Sequence, residues 1–163
     1  MSPVGPNVAD VTELPELVAA GVDRTLELAT TWLRWDGRAC VGEDPSRVYT
    51  PHKALRRYTD HLLDHLAQLE CLVAGAPTVP DEWRGSFVTL DSDWARFTEP
   101  DRDEAGQRLR RLAQLYRVRL TALGPDEWDR PRGVEWSIRE IVEHVADAWY
   151  AEQVGDLRPM VSG

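Results

Sequence analysis

The sequence predicts an all-α protein, a four-helix bundle with one long crossover between its second and third helices. Three observations predict it. Four segments repeat apolar residues every three or four positions, the period of a helix with one buried face. No segment keeps up the strict alternation of a half-buried strand. The link between the second and third segments, residues 76–102, is long enough to run back along the bundle and leave those two helices parallel, where short links would force antiparallel neighbours. The 163 residues suit one domain with a sizeable core, taken as 1–163 with residues 1–10 expected to be flexible.

The first helix is predicted from about Val11 to Trp35, with a stripe of Leu14, Val18, Val22, Leu26, Ala29 and Leu33. The second runs from about Thr50 to Ala74 on Leu55, Tyr58, Leu62, Leu66, Leu69 and Val73. Thr50 suits its cap, Pro51 its first turn and Gly75 its stop. The third is predicted from about Asp103 to Leu123 on Ala105, Leu109, Leu112, Tyr116, Leu120 and Leu123, ending at "GP". The fourth runs from about Ser137 to Leu157 on Ile138, Ile141, Val142, Val145, Trp149 and Val154. Ser137 and Glu140 form its capping box. A short amphipathic turn is expected at "LDSDWARF" within the crossover, with Trp94 covering it.

Composition narrows the function. A formal charge of −9 opposes binding to phosphate backbones, so no nucleic-acid partner is expected. The arginines of "RLRRLAQLYRVR" read as a solvated face paired with neighbouring acids. No apolar run approaches the roughly 20 residues that span a bilayer, so no membrane association is expected. The N-terminus lacks the charge and apolar pattern of a secretory signal, and the expected location is cytoplasmic. Lys53 is the one lysine among many arginines, a bias of high-GC bacterial genes. Cys40 and Cys71 are expected to be free thiols, Cys71 in the core and Cys40 in a polar connection.

The stretch "YTDHLLDHLAQLE" carries His61 and His65, two of four histidines in the chain. At i and i+4 they share a helix face. Counting about 100° per residue from Leu62, both fall on one shoulder of the apolar stripe, half-buried and reachable. His144, counted from Ile138, falls on the flank of the fourth helix. Two imidazoles from one helix and one from another would give three neutral ligands with coordination positions left open, as in a catalytic site. On spacing alone two readings stay open. The histidines either converge on a metal ion or hydrogen-bond singly to neighbours such as Asp60, Asp64 and Asp147. There is no HExxH pattern, no GxSxG and no Gly-rich phosphate loop. His52, after Pro51, reads as exposed.

The stretch "WSIREIVEHVADAWYAEQ" resembles the signature of the DinB-like superfamily. Trp136, Ser137, Glu140, His144 and Ala146 stand where members carry Trp-Ser/Thr-x-x-Glu, a helical His and a small residue two positions later. His61 and His65 match an HxxxH pair on another helix. The likeness spans about residues 15–157. It implies a bundle with a long crossover and a divalent metal (Zn, Ni or Fe) on three side chains, here His61, His65 and His144. It departs from the usual order of one ligand on helix two and a pair on helix four, since the pair comes first here.

The resemblance also implies thiol-dependent chemistry. Relatives include mycothiol- and bacillithiol-dependent S-transferases, maleylpyruvate isomerase and the metal-binding part of sulfoxide synthases. The expected role is metal-dependent transfer or isomerisation of a small molecule, with a low-molecular-weight, mycothiol-type thiol as co-substrate. A metal-free bundle that binds a small molecule or a protein is the alternative, and a metal-dependent hydrolase the third reading. Trp32, Trp35, Tyr58, Trp149 and Tyr150 are candidates to line a pocket for the substrate, unless they are core and rim packing. Trp83, Trp94 and Trp128 lie in connections, and a C2 homodimer through helix faces is expected.

Overall fold

Leu14, Pro15 and Glu16 open helix α1 (Leu14–Ala29), whose face of Leu14, Val18, Val22, Leu26 and Ala29 is buried. This is a computed structural model that describes residues 13–161 apart from positions 43 and 81. The expected flexibility of residues 1–10, and the predicted start of the first helix at Val11, lie outside the described residues. α1 stops at Ala29, and Trp32–Arg34 forms a separate 3₁₀ turn. Thr30 and Thr31 turn their hydroxyls onto the carbonyls of Glu27 and Leu28, which competes with continuing the helix.

A hairpin absent from the sequence reading follows. Strands β1 (Cys40–Val41) and β2 (Val48–Tyr49) pair antiparallel, with Cys40 opposite Tyr49 and Val41 opposite Val48. Two-residue strands are too short to show alternation. Both cysteines are free and half-buried, and burial pushes the Cys40 thiol pKa up.

Helix α2 (Pro51–Ala74) has the predicted punctuation. The Thr50 hydroxyl accepts from Lys53 N–H, and Gly75 closes the helix at φ 65°. Leu55, Tyr58, Leu62, Leu66 and Leu69 are buried. The crossover contains a short helix α3 (Arg84–Phe87) and a 3₁₀ turn at Asp91–Trp94. Arg56 ties it to α2, donating to the carbonyls of Gly85, Ser86 and Val88 and to the Asp93 carboxylate. Trp94 does not cover this turn: it stays 43% exposed, and Asp93 is the buried residue at 2%. The Asp93 carboxylate is drawn inward by Arg56 and the Leu90 N–H.

Helix α4 (Glu99–Leu123) starts four residues before the predicted Asp103. "TEPD" holds a complete start signal: Thr98 caps, Pro100 fits the first turn, and Asp101 returns a bond to Thr98 N–H. After the single turn α5 (Pro125–Trp128), α6 (Ile138–Val145) begins at the predicted Ser137–Glu140 box. The fourth segment then breaks. Residues 146–148 bend, and α7 (Trp149–Val154) starts afresh with Asp147 accepting from Trp149 N–H.

The break has a packing cause. A Cβ built on Gly21 of α1 would stand 1.8 Å from the carbonyl oxygen of Ala146. The bare glycine lets the bend press against α1 at a distance no side chain would permit. Contacts then fix directions. α1 opposes α4, with Glu16 bonded to Arg117 and Leu26 beside Gly106. α4 runs parallel to α2, since Asp101 lies by His52, Tyr116 donates to the Leu62 carbonyl and Arg119 pairs with Glu70. α6 and α7 run with α1: Ala146 meets Gly21, Glu152 meets Arg24 and Gly155 accepts from Trp32. The described residues are thus largely all-α, around one core that includes Val18, Leu62, Leu109, Tyr116 and Ile138. Among them, no helix is long and apolar enough to cross a membrane.

Candidate metal centre

The i,i+4 spacing on α2 stacks His61 and His65 on one shoulder, and α6 lays His144 against them. The three rings form a nearly equilateral triangle, with centroids 4.7 Å (His61–His65), 4.9 Å (His61–His144) and 5.0 Å (His65–His144) apart. One nitrogen from each ring lies within 4.8 Å of the other two, close enough for the three to hold one ion. His61 and His65 are half-buried and His144 is exposed, leaving that place open on the His144 side.

The donor set suits a borderline divalent ion. Burial holds the pKa of His61 down, to about 3, and the neighbouring His65 and His144 rings lower it further. His144 is also lowered, by burial first and then by His65. Both are therefore neutral near pH 7, with lone pairs free to coordinate. The Gln68 amide orients His65. Its oxygen lies 2.8 Å from Nδ1, while its nitrogen faces the Glu135 carboxylate at 3.5 Å. An amide oxygen only accepts, so the imidazole proton sits on Nδ1 and the Nε2 lone pair is free. Such an outer-shell partner commonly fixes the tautomer of a metal-binding histidine.

Three acidic residues of the fourth segment have partners of their own, although the Asp147 charge also acts on His144, opposing the downward shift of its pKa. Glu140 bonds the Ser137 N–H, Asp147 bonds Trp149 N–H and Glu152 pairs with Arg24. Ala148 does not stand one turn above His144 as a continuous helix would place it. The bend carries it into the core, 8% exposed.

The triad sits in a cleft of about 330 Å³ whose wall includes Arg57, Asp60, Asp64, Ser86, Phe87 and Trp136. Of the five aromatics expected to line a substrate pocket, only Tyr150 does so. Its ring stands 5.5 Å from His61. Trp32 is fully buried and donates to the Gly155 carbonyl. Tyr58 is 1% exposed, on the core-facing stripe of α2. Trp35 donates to the Arg38 carbonyl, away from the cleft. Trp149 packs edge-on against Tyr49 and Tyr150. Trp136 is instead a neighbour of the triad, 4.9 Å from His144 and stacked over His65 at 6.3 Å.

Sequence reasoning passed over Arg57, Gln68, Ser86 and Phe87. Gln68 had a readable signal, three positions after His65 on the same flank. Arg57, four before His61, had the same one. Ser86 and Phe87 arrive from the crossover and had none. Three arginines of that stretch of α4 pair with acids, Arg108 with Glu104, Arg117 with Glu16 and Arg119 with Glu70, while Arg111 bonds Gln107 instead. Comparison of the chain with protein-family profiles, curated proteins and solved structures gives no match in any of the three.

Proposed function

We propose that the protein is a DinB-like four-helix bundle, with a long crossover between α2 and α4, that holds a divalent metal ion on His61, His65 and His144. It would use that ion on a small-molecule substrate, in transfer or isomerisation that consumes or recycles a mycothiol-type thiol. The observation that carries the reading is the mutual approach of three imidazoles from two helices. The parallel course of α2 and α4 supports the bundle topology. When bound, the ion would supply a positive centre that lowers the pKa of a thiol or polarises a carbonyl.

The chain's own residues prepare that chemistry. Gln68 keeps the proton on the outer nitrogen of His65. Tyr150 and Trp136 flank the triad with their rings. Asp64 lines the cleft beside His61 and His65 and can accept the proton an incoming thiol gives up.

Elemental analysis of untagged protein and titration with Zn²⁺, Ni²⁺ and Fe²⁺ test the reading. One ion bound per chain, lost in His144→Ala, is the expected result. A chain that binds no ion would be a metal-free binding module. Turnover without any thiol would instead mark a hydrolase.

A further inference from the structure

Arg57 is the unusual charge of the cleft. It is 7% exposed, yet among the described residues no carboxylate lies within ion-pair distance of it. Its neighbour Arg56 has both Asp60 and Asp93. Arg57 instead donates to the hydroxyls of Ser86 (2.5 Å) and Tyr150 (2.9 Å). Its guanidinium carbon lies 4.3 Å from the centre of the Phe87 ring and 4.9 Å from that of Tyr150. Two aromatic rings and two hydroxyls fix the group in place. A buried cation without a counter-ion is costly, so a protein that retains one at a cleft wall has a use for it.

We propose that Arg57 is the anion subsite of this cleft and that the substrate carries a carboxylate there. This inference rests on the metal reading for its second anchor, since the same Tyr150 ring that meets Arg57 also meets His61 at 5.5 Å. The Ser86 and Tyr150 hydroxyls use two of the five guanidinium N–H groups. A carboxylate matches the remaining fork. A phosphate dianion suits the cleft less, because Asp60 and Asp64 share its wall with Arg57 and Arg47. Ser86 transmits the arrangement. It accepts from Arg57 and donates to Asp60 (2.7 Å), so the Asp60 charge compensates Arg57 only at one remove. The small volume admits one metabolite with its carboxylate on Arg57 and its reacting end at the triad.

Calorimetric titration of the full chain with succinate, with and without Zn²⁺, tests the proposal, inorganic phosphate serving as the competing anion. Arg57→Lys keeps the charge and loses the fork. It should weaken succinate binding by about tenfold or more, the worth of a charge-assisted bond, while Zn²⁺ stoichiometry stays as in the wild type. Phe87→Leu removes one face of the aromatic clamp at an exposed position and should weaken binding in the same direction. It decides the matter if Arg57→Lys does not fold. Unchanged succinate affinity in the folded variants overturns the subsite and leaves the metal reading intact. A wild type that binds no Zn²⁺ sinks the metal reading, and the subsite is then judged on succinate alone: Arg57-dependent binding supports it, no binding overturns it. Tighter binding of phosphate than of succinate overturns the carboxylate assignment.

Discussion

Helix α2 carries histidine and arginine side chains toward each of two clefts, His52 and Arg56 toward one and His61, His65 and Arg57 toward the other, and the clefts differ in how their polar groups are answered. Toward α4, a groove of about 370 Å³ contains His52, Arg56, Asp101, Glu104 and Arg108. There His52 reaches the Arg96 carbonyl at 3.2 Å and Asp101 at 3.9 Å, Arg56 holds Asp93, and Arg108 holds Glu104. Toward α6, the smaller cleft sets imidazole against imidazole, and among the described residues no carboxylate stands within ion-pair distance of Arg57. The larger groove is structural because its charges close on one another. The smaller one gathers three imidazoles within 4.8 Å of one another instead of closing them on carboxylates, which is why it is the candidate site. Volume does not separate them; satisfaction of polar groups does.

The comparison can be broken most forcefully at Arg56. Replacing it with Met strands the Asp93 carboxylate, 2% exposed, and frees the crossover. Breaking a buried pair in this way costs about 3–5 kcal/mol. Chemical denaturation should show a loss of that order, and whatever folded protein remains should bind Zn²⁺ as the wild type does. A small loss would mean that the groove's charges are not structural.

At the triad, His144→Ala should weaken Zn²⁺ binding by more than about 100-fold, because even outer-shell partners are worth about 10–100-fold. His52→Ala should leave it unchanged. Competition against a chelator of known affinity measures both, and equal losses in the two variants would erase the distinction between the clefts.

Gln68→Leu comes next. It removes the acceptor of the His65 Nδ1 proton and should lower Zn²⁺ affinity by about 10–100-fold without removing a ligand. An unchanged isotherm would show that His65 needs no orienting partner.

The smallest effect is the pH dependence of the metal-free protein. His61 has a folded pKa of about 3 against an ordinary value of 6.5. Between these values the unfolded chain binds the proton and the folded chain does not, so stability falls as pH drops from 6.5 towards 3. The slope is at most about 1.4 kcal/mol per pH unit for one proton. Above pH 6.5 this group's contribution dies away over about one pH unit, as the unfolded imidazole also loses its proton. Thermal melts from pH 7.5 to 5 should show the decline, and His61→Gln should flatten it. A slope unaffected by that substitution would place the acid sensitivity elsewhere.

Much of the site was legible because its signals are local. The i,i+4 spacing of His61 and His65, Thr50 and Gly75 at the ends of α2, and the Ser137–Glu140 box are all settled by residues within a turn of one another. A helix's periodicity and caps depend on such neighbours, and the sequence by itself determined the four main helical segments, though not their breaks and ends, and which shoulder of α2 bears the histidine pair. It could not determine what meets that shoulder. His144 reaches the pair because α6 packs beside α2, and the segment then bends at 146–148 against the bare backbone of Gly21. A continuous helix was the better guess from periodicity, since nothing within the segment announces a contact 125 residues away. The same holds for the cleft wall. Tyr58 went into the core because its stripe faces it; Trp32 did so because the 3₁₀ turn after α1 buries it in place of the stripe residue Leu33, which is 41% exposed, while Ser86 and Phe87 came from the crossover to clamp Arg57. Close approach, burial and the pairing of charges depend on which distant surfaces meet, and only the tertiary structure decided that.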